Sequence, residues 1–227
     1  MAKNEQLEKL FLEWKSKHTF DIFCKDGIVD EKNFGKDIPR VVFLLKDANV
    51  ENAEESNVCE NLLDTANDNG KFGKMWKVIC MWAKIMEDSS IRFLDCCDDN
   101  FEIKNSIRKY LKKIAVVNVS KEHGKGVNDQ DELSAKLSKS LEQYYDYTKK
   151  ELDIIEPDIV ICCGTYHQIL NQYHKPNREL CDKVLPSGAR FFNQDGKIFL
   201  EMCHPGSYVS YQTLFAYFKE VYSDFAI

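Results

Sequence analysis

Three short runs of uninterrupted apolar residues constrain this chain more than any other feature. They are Arg40-Val-Val-Phe-Leu-Leu-Lys46, Lys113-Ile-Ala-Val-Val-Asn-Val119 and Pro157-Asp-Ile-Val-Ile-Cys-Cys163. A strand with one wet face alternates apolar and polar residues, so continuous runs of this length predict strands covered on both faces. Segments of helical period separate them. Leu7, Leu10, Phe11 and Trp14 predict an amphipathic helix over residues 4–18. Residues 72–86 and 101–111 are also helical in pattern, and residues 131–155 form a long helix with Leu133, Leu137, Leu141, Tyr144 and Tyr145 on its apolar side. A short helix is expected after Gly164, and a last one over 207–222. Residues 190–193 and 197–202 flank Gln194-Asp195-Gly196, a hairpin signal. Residues 20–37 read as a polar connection, and 50–70 as a long, acidic, irregular loop. Alternating strands and helices predict an α/β fold. The expected form is a three-layer α/β/α sandwich around a central, mainly parallel four-stranded sheet, with residues 1–227 as a single domain.

With 227 residues, 44% of them hydrophobic, the chain can bury one large core. Its net charge of −6 is unlike that of proteins coated in basic residues, although a local groove can still be positive. The nine cysteines include the adjacent pairs Cys96-Cys97 and Cys162-Cys163 but no C-x-x-C spacing, so reduced thiols of a cytoplasmic protein are expected rather than a disulfide scaffold or metal framework. No apolar run approaches the ~20 residues of a spanning helix, and no membrane partner is expected.

The ends of the predicted strands carry the chemistry. The first offers Lys46, Asp47 and Asn49, the second Asn118 and Ser120, and the run 197–202 leads into Cys203-His204-Pro205-Gly206-Ser207-Tyr208. In an open α/β sheet the carboxyl ends of the strands share one edge, where ligands bind. A carboxylate can orient water or balance positive charge, a histidine can donate to a developing anion, and an amide can read a base edge by donating and accepting at once. Asp47, His204 and Asn118 together therefore suit hydrolysis of a bond whose leaving group is a nucleobase. Ordinary roles also stand open: Asp47 as a turn cap, and Asn118 as a partner for buried backbone groups.

Four blocks resemble, in matching order, the strand-end motifs of the uracil-DNA glycosylase superfamily: Val42-Phe-Leu-Leu-Lys-Asp-Ala-Asn49, Ala115-Val-Val-Asn-Val-Ser120, Pro157-Asp-Ile-Val-Ile-Cys-Cys-Gly164 and His204-Pro-Gly-Ser-Tyr208. The resemblance spans roughly residues 38–222. It implies that Asp47 positions water, His204 stabilises the leaving base and Asn118 reads the base, with Lys46 and Asn49 as further base contacts. It also implies that Tyr208 enters the duplex as a wedge beside Ser207, and that DNA is the partner of a monomeric enzyme needing no cofactor. Lys46 and Ala48 stand where the family has glutamine and proline, and Gly206-Ser207 replaces its serine-proline. Phe72, Trp76 and Tyr166 are candidates for the aromatic residue that stacks on the base.

The segment after the second strand, with Ser120, Lys121, His123 and Lys125 and the glycines 124 and 126, is a candidate phosphate-contacting loop. Two other readings belong beside the glycosylase: a non-catalytic or divergent protein that binds nucleotides or nucleic acid on the same fold, and a cysteine or serine hydrolase. The last finds no G-x-S-x-G elbow in the sequence, and its candidate pair is Cys163 and His167.

Overall fold

A computed structural model describes residues 1–48, 55–67, 73–123, 130–173 and 182–225. Its strands are β1 (Phe23–Lys25), β2 (Gly27–Ile28), β3 (Val41–Ala48), β4 (Glu55–Asn57), β5 (Ala115–His123), β6 (Ile159–Cys163), β7 (Lys183–Val184), β8 (Arg190–Gln194) and β9 (Lys197–Met202). The helices are α1 (Lys3–Lys17), α2 (Val58–Asn67), α3 (Lys74–Glu87), α4 (Phe93–Cys96), α5 (Asn105–Arg108), α6 (Gln130–Ile155), α7 (Tyr166–Tyr173) and α8 (Tyr211–Phe225). A turn of 3₁₀ helix occupies Lys109–Lys113.

The fold is mixed α/β. Among the described residues its sheet has nine strands, more than the four expected, in the order β4-β1-β5-β3-β6-β9-β8-β7, with β2 also paired to β5. The three apolar runs are β3, β5 and β6. With β9 they pair parallel to their neighbours through the middle of the sheet. The additional strands are two- to five-residue antiparallel or edge pieces whose short length carries no readable period. The β8–β9 hairpin closes at Asp195-Gly196, both at positive φ, as the Gln-Asp-Gly signal implied.

Helices cover both faces. On one, α3 and α8 pack on Phe43, with Trp82 stacked on Phe218 at 4.8 Å and its indole N–H donating to the Leu214 carbonyl. On the other, α1 and α6 meet where the buried Trp14 stacks on Tyr147 at 4.8 Å. Leu7, Leu10, Phe11 and Trp14 are the buried stripe of α1, and the lysines of its last turn complement the helix dipole.

Two sequence expectations change here. The stretch 50–70 contains β4 and an amphipathic helix burying Val58, Cys59 and Leu62, so its described part is not irregular. The helix expected over 101–111 is instead α5 followed by the 3₁₀ turn. Among the described residues no helix is long and apolar enough to cross a membrane.

Candidate active site

Register places the strand ends relative to one another. Leu45 pairs with Asn118, Leu44 with Cys162, and Cys163 with Met202, so Leu45, Asn118, Cys163 and Met202 lie in one row across the sheet. Residues level in a parallel sheet share a face, and Leu45, Cys163 and Met202 belong to the core beneath α3 and α8. Asn118 faces that side. Two residues further on, Asp47 pairs with Ser120, and the chain past Met202 reaches His204. Segments that are more than 150 residues apart in sequence are thus brought to one carboxyl edge.

Local geometry fixes the His204 ring. The Gly206 N–H donates to Nδ1 at 3.1 Å, so Nδ1 is the unprotonated nitrogen of a neutral ring and Nε2 carries the proton. Burial disfavours the charged imidazolium, the Lys46 ammonium disfavours it further, and Asp47 pulls the other way; the net effect is a lowered pKa. Glycines flank the ring on both sides, Gly206 in a tight contact and Gly164 at positive φ. A Cβ on Gly206 would come within 3.2 Å of the imidazole, and one on Gly164 would meet the Lys46 stem at 3.4 Å and His204 Cβ at 3.8 Å. The Gly164 N–H donates to the carbonyls of Cys162 and Met202, tying the end of β6 to that of β9. The result is a neutral N–H donor and an ammonium side by side, and among the described residues Lys46 has no ion-pair or hydrogen-bond partner.

Asp47 is about one-fifth exposed, and Lys136 of α6 lies 3.6 Å from its carboxylate. Asn118 is buried, with its backbone N–H and Nδ2 both donating to Asp26 Oδ2 at 2.6 and 3.0 Å. Among the described residues its Oδ1 has no partner, and neither do the hydroxyls of Ser120 and Ser207, all three atoms being buried. The turn after His204 is pinned by Lys74 at the start of α3, whose ammonium donates to the carbonyls of Ser207 and Val209. Tyr208, between those carbonyls, is fully exposed.

The structure corrects one predicted contact. Lys121 is not available to phosphate: it is fully buried, facing Phe11 and Trp14, in an ion pair with Asp26 and with the Glu151 carboxyl group 2.8 Å away. The strand continues through His123, so Lys121 follows Val117 and Val119 onto the face covered by α1 and α6. Asn49, Lys125 and Phe72 lie outside the described residues. Tyr166 is a core residue hydrogen-bonded to Asp182, packed on the face opposite Asn118, so it is not placed to stack on a ligand there. Trp76 is half-buried against the core beneath α3. Cys163 is buried with its thiol pKa raised, whereas His167 is exposed and faces Glu201 at 3.3 Å, so the two form no nucleophile pair.

Asp26 lies within residues 20–37, which read in sequence as a polar connection, so no motif singles it out. Its signal was the Asp-Gly pair between Phe23-Cys24 and Ile28-Val29, two apolar pairs on either side of a turn dipeptide. Among the described residues no group of three or more histidine, cysteine, aspartate or glutamate side chains is gathered to hold a metal ion. No protein-family model matches the chain, and no curated protein is significantly similar to it.

Proposed function

We propose that this chain is a DNA-glycosylase-like hydrolase that releases uracil or a related deaminated base from DNA. The observation that carries this reading is the meeting of Asp47, Ser120 and His204 at one level of the carboxyl edge, with Asn118 a row beneath. The contiguous parallel block β5-β3-β6-β9, covered by helices on both faces, supports the finer expectation of a three-layer α/β/α sandwich. The monomeric state and cytoplasmic location belong to the same proposal.

In the proposed reaction the bond between C1′ of the sugar and the base nitrogen breaks, and its electron pair leaves with the base. Asp47 balances the positive sugar and orients a water, whose oxygen bonds to C1′ and whose proton is released. The His204 Nε2–H donates to the anionic base, with the neighbouring Lys46 ammonium adding to the stabilisation. Tyr208, on a turn held by Lys74, occupies the gap left by the extruded nucleotide.

Single-turnover assays on uracil-containing single- and double-stranded DNA test the reading. Wild type should release free base, and Asp47→Asn and His204→Ala should each slow release by about 100-fold or more. Equal rates from all three proteins would sink the mechanism. One observation favours a second reading, a protein that binds nucleic acid or nucleotides without cutting: Lys136 faces the carboxylate that the reaction needs free to hold water. Tight binding of a uracil-containing oligonucleotide with no base released would select it.

A further inference from the structure

β1 pairs with β5 at Phe23 and Glu122, and β2 pairs with it at Gly27–Val116 and Ile28–Ala115. Between these contacts Asp26 stands in the break, and its carboxylate takes the place of a ladder partner. Oδ2 accepts from the backbone N–H and from Nδ2 of Asn118, while Oδ1 accepts from the Lys121 ammonium. All three partners are donors, so both Asp26 oxygens act only as acceptors. The amide of Asn118 therefore has to turn its NH₂ toward Asp26, leaving Oδ1 as a buried acceptor with no partner among the described residues.

We propose that Asp26 is a positioning residue that sets the direction in which Asn118 reads a base, so that Asn118 offers an acceptor to a ring N–H. This rests on the glycosylase reading and extends it to a residue outside the strand-end motifs. A base whose ring nitrogen is itself an acceptor, as in cytosine, sets two lone pairs against each other at that position, and the buried oxygen stays unpaired. Lys121 anchors the lock from the opposite face through Asp26 Oδ1, and its ammonium lies 2.8 Å from Glu151.

The test compares the full chain with Asp26→Asn and Glu151→Gln. In Asp26→Asn the Lys121 ammonium takes the new amide's oxygen and the NH₂ faces Asn118, whose side-chain amide reverses to accept while its backbone N–H loses its acceptor. The preference for uracil- over cytosine-containing oligonucleotides, read as single-turnover release or as affinity, should fall about tenfold or more. Glu151→Gln alters the same cluster without touching Asn118 and should leave the preference unchanged. An unchanged preference in a folded Asp26→Asn protein, or an equal loss in Glu151→Gln, would overturn the assignment. A second measurement needs neither folding of the variant nor activity: hydrogen exchange of the Asn118 Nδ2 protons in wild type, by NMR. Slow exchange is expected, and exchange as fast as that of an exposed amide would overturn the assignment. A wild-type protein that neither releases nor prefers uracil removes the glycosylase reading, and the exchange measurement then decides Asp26 alone.

Discussion

At the scale of the residue, the site depends on a histidine kept neutral. Gly206 supplies the N–H that occupies Nδ1, burial removes the solvent that would stabilise a second proton, and Lys46 repels it. These effects are separable. Lys46→Met removes the neighbouring charge while keeping an unbranched side chain against Gly164, so the His204 pKa should rise toward the ordinary value near 6.5 while staying below it through burial. The sign follows from the proton count. With Lys46 present, the ring takes up its proton only at lower pH, and its removal moves uptake upward. The acid limb of any base release that needs neutral His204 should move to higher pH with it. Titration of the His204 ring protons by NMR in both proteins is the direct check; coincident curves would show that the Lys46 charge is not felt at the ring.

At the scale of the element, α3 does two jobs. Its middle, through Trp82, closes the core, and its first residue, Lys74, reaches over the end of β9 to two carbonyls flanking Tyr208. Lys74→Ala should leave the core intact and cost under about 2 kcal/mol in global stability. It should nonetheless make the chain near Tyr208 measurably more sensitive to limited proteolysis. Cleavage there at the wild-type rate would mean the turn holds its shape without Lys74. Legibility in the sequence follows the same division. β3, β5 and β6 were readable because a strand buried on both faces must be continuously apolar, and α1 because Leu7, Leu10, Phe11 and Trp14 repeat with the helical period. That was enough to bring Asp47, Asn118 and His204 to one edge. β1, β2 and β4 were not readable, since two or three residues hold no period and their pairing is decided by distant partners. Asp26 was lost with them. Lys121 was misread for a related reason: a lysine after an apolar run looks like a surface residue until Asp26 and Glu151, 95 and 30 positions away, are seen to close around it.

At the scale of the whole molecule, that same cluster joins four parts of the chain: Asp26 from the β1–β2 break, Lys121 from β5 and Glu151 from α6, roofed by Phe11 and Trp14 of α1. One lysine faces two buried carboxyl groups, and burial together with the Asp26 charge raises the Glu151 pKa well above its ordinary value, so folding favours the protonated Glu151 carboxyl. This has a consequence for stability. Above pH ~4.5 the unfolded chain has released the Glu151 proton, which the folded chain binds more tightly. The folded state then binds more protons, so this group's contribution is complete below the unfolded pKa and declines as pH rises toward the folded one. The slope is at most about 1.4 kcal/mol per pH unit. Glu151→Gln keeps the shape of the protonated side chain and has no proton to lose. Its stability relative to wild type should therefore increase from pH 5 to pH 7, and comparing the two proteins cancels the titrations they share. Denaturant unfolding across that range measures the difference. Parallel stability curves would mean that Glu151 ionises in the folded state, and that Lys121 balances both carboxylates after all.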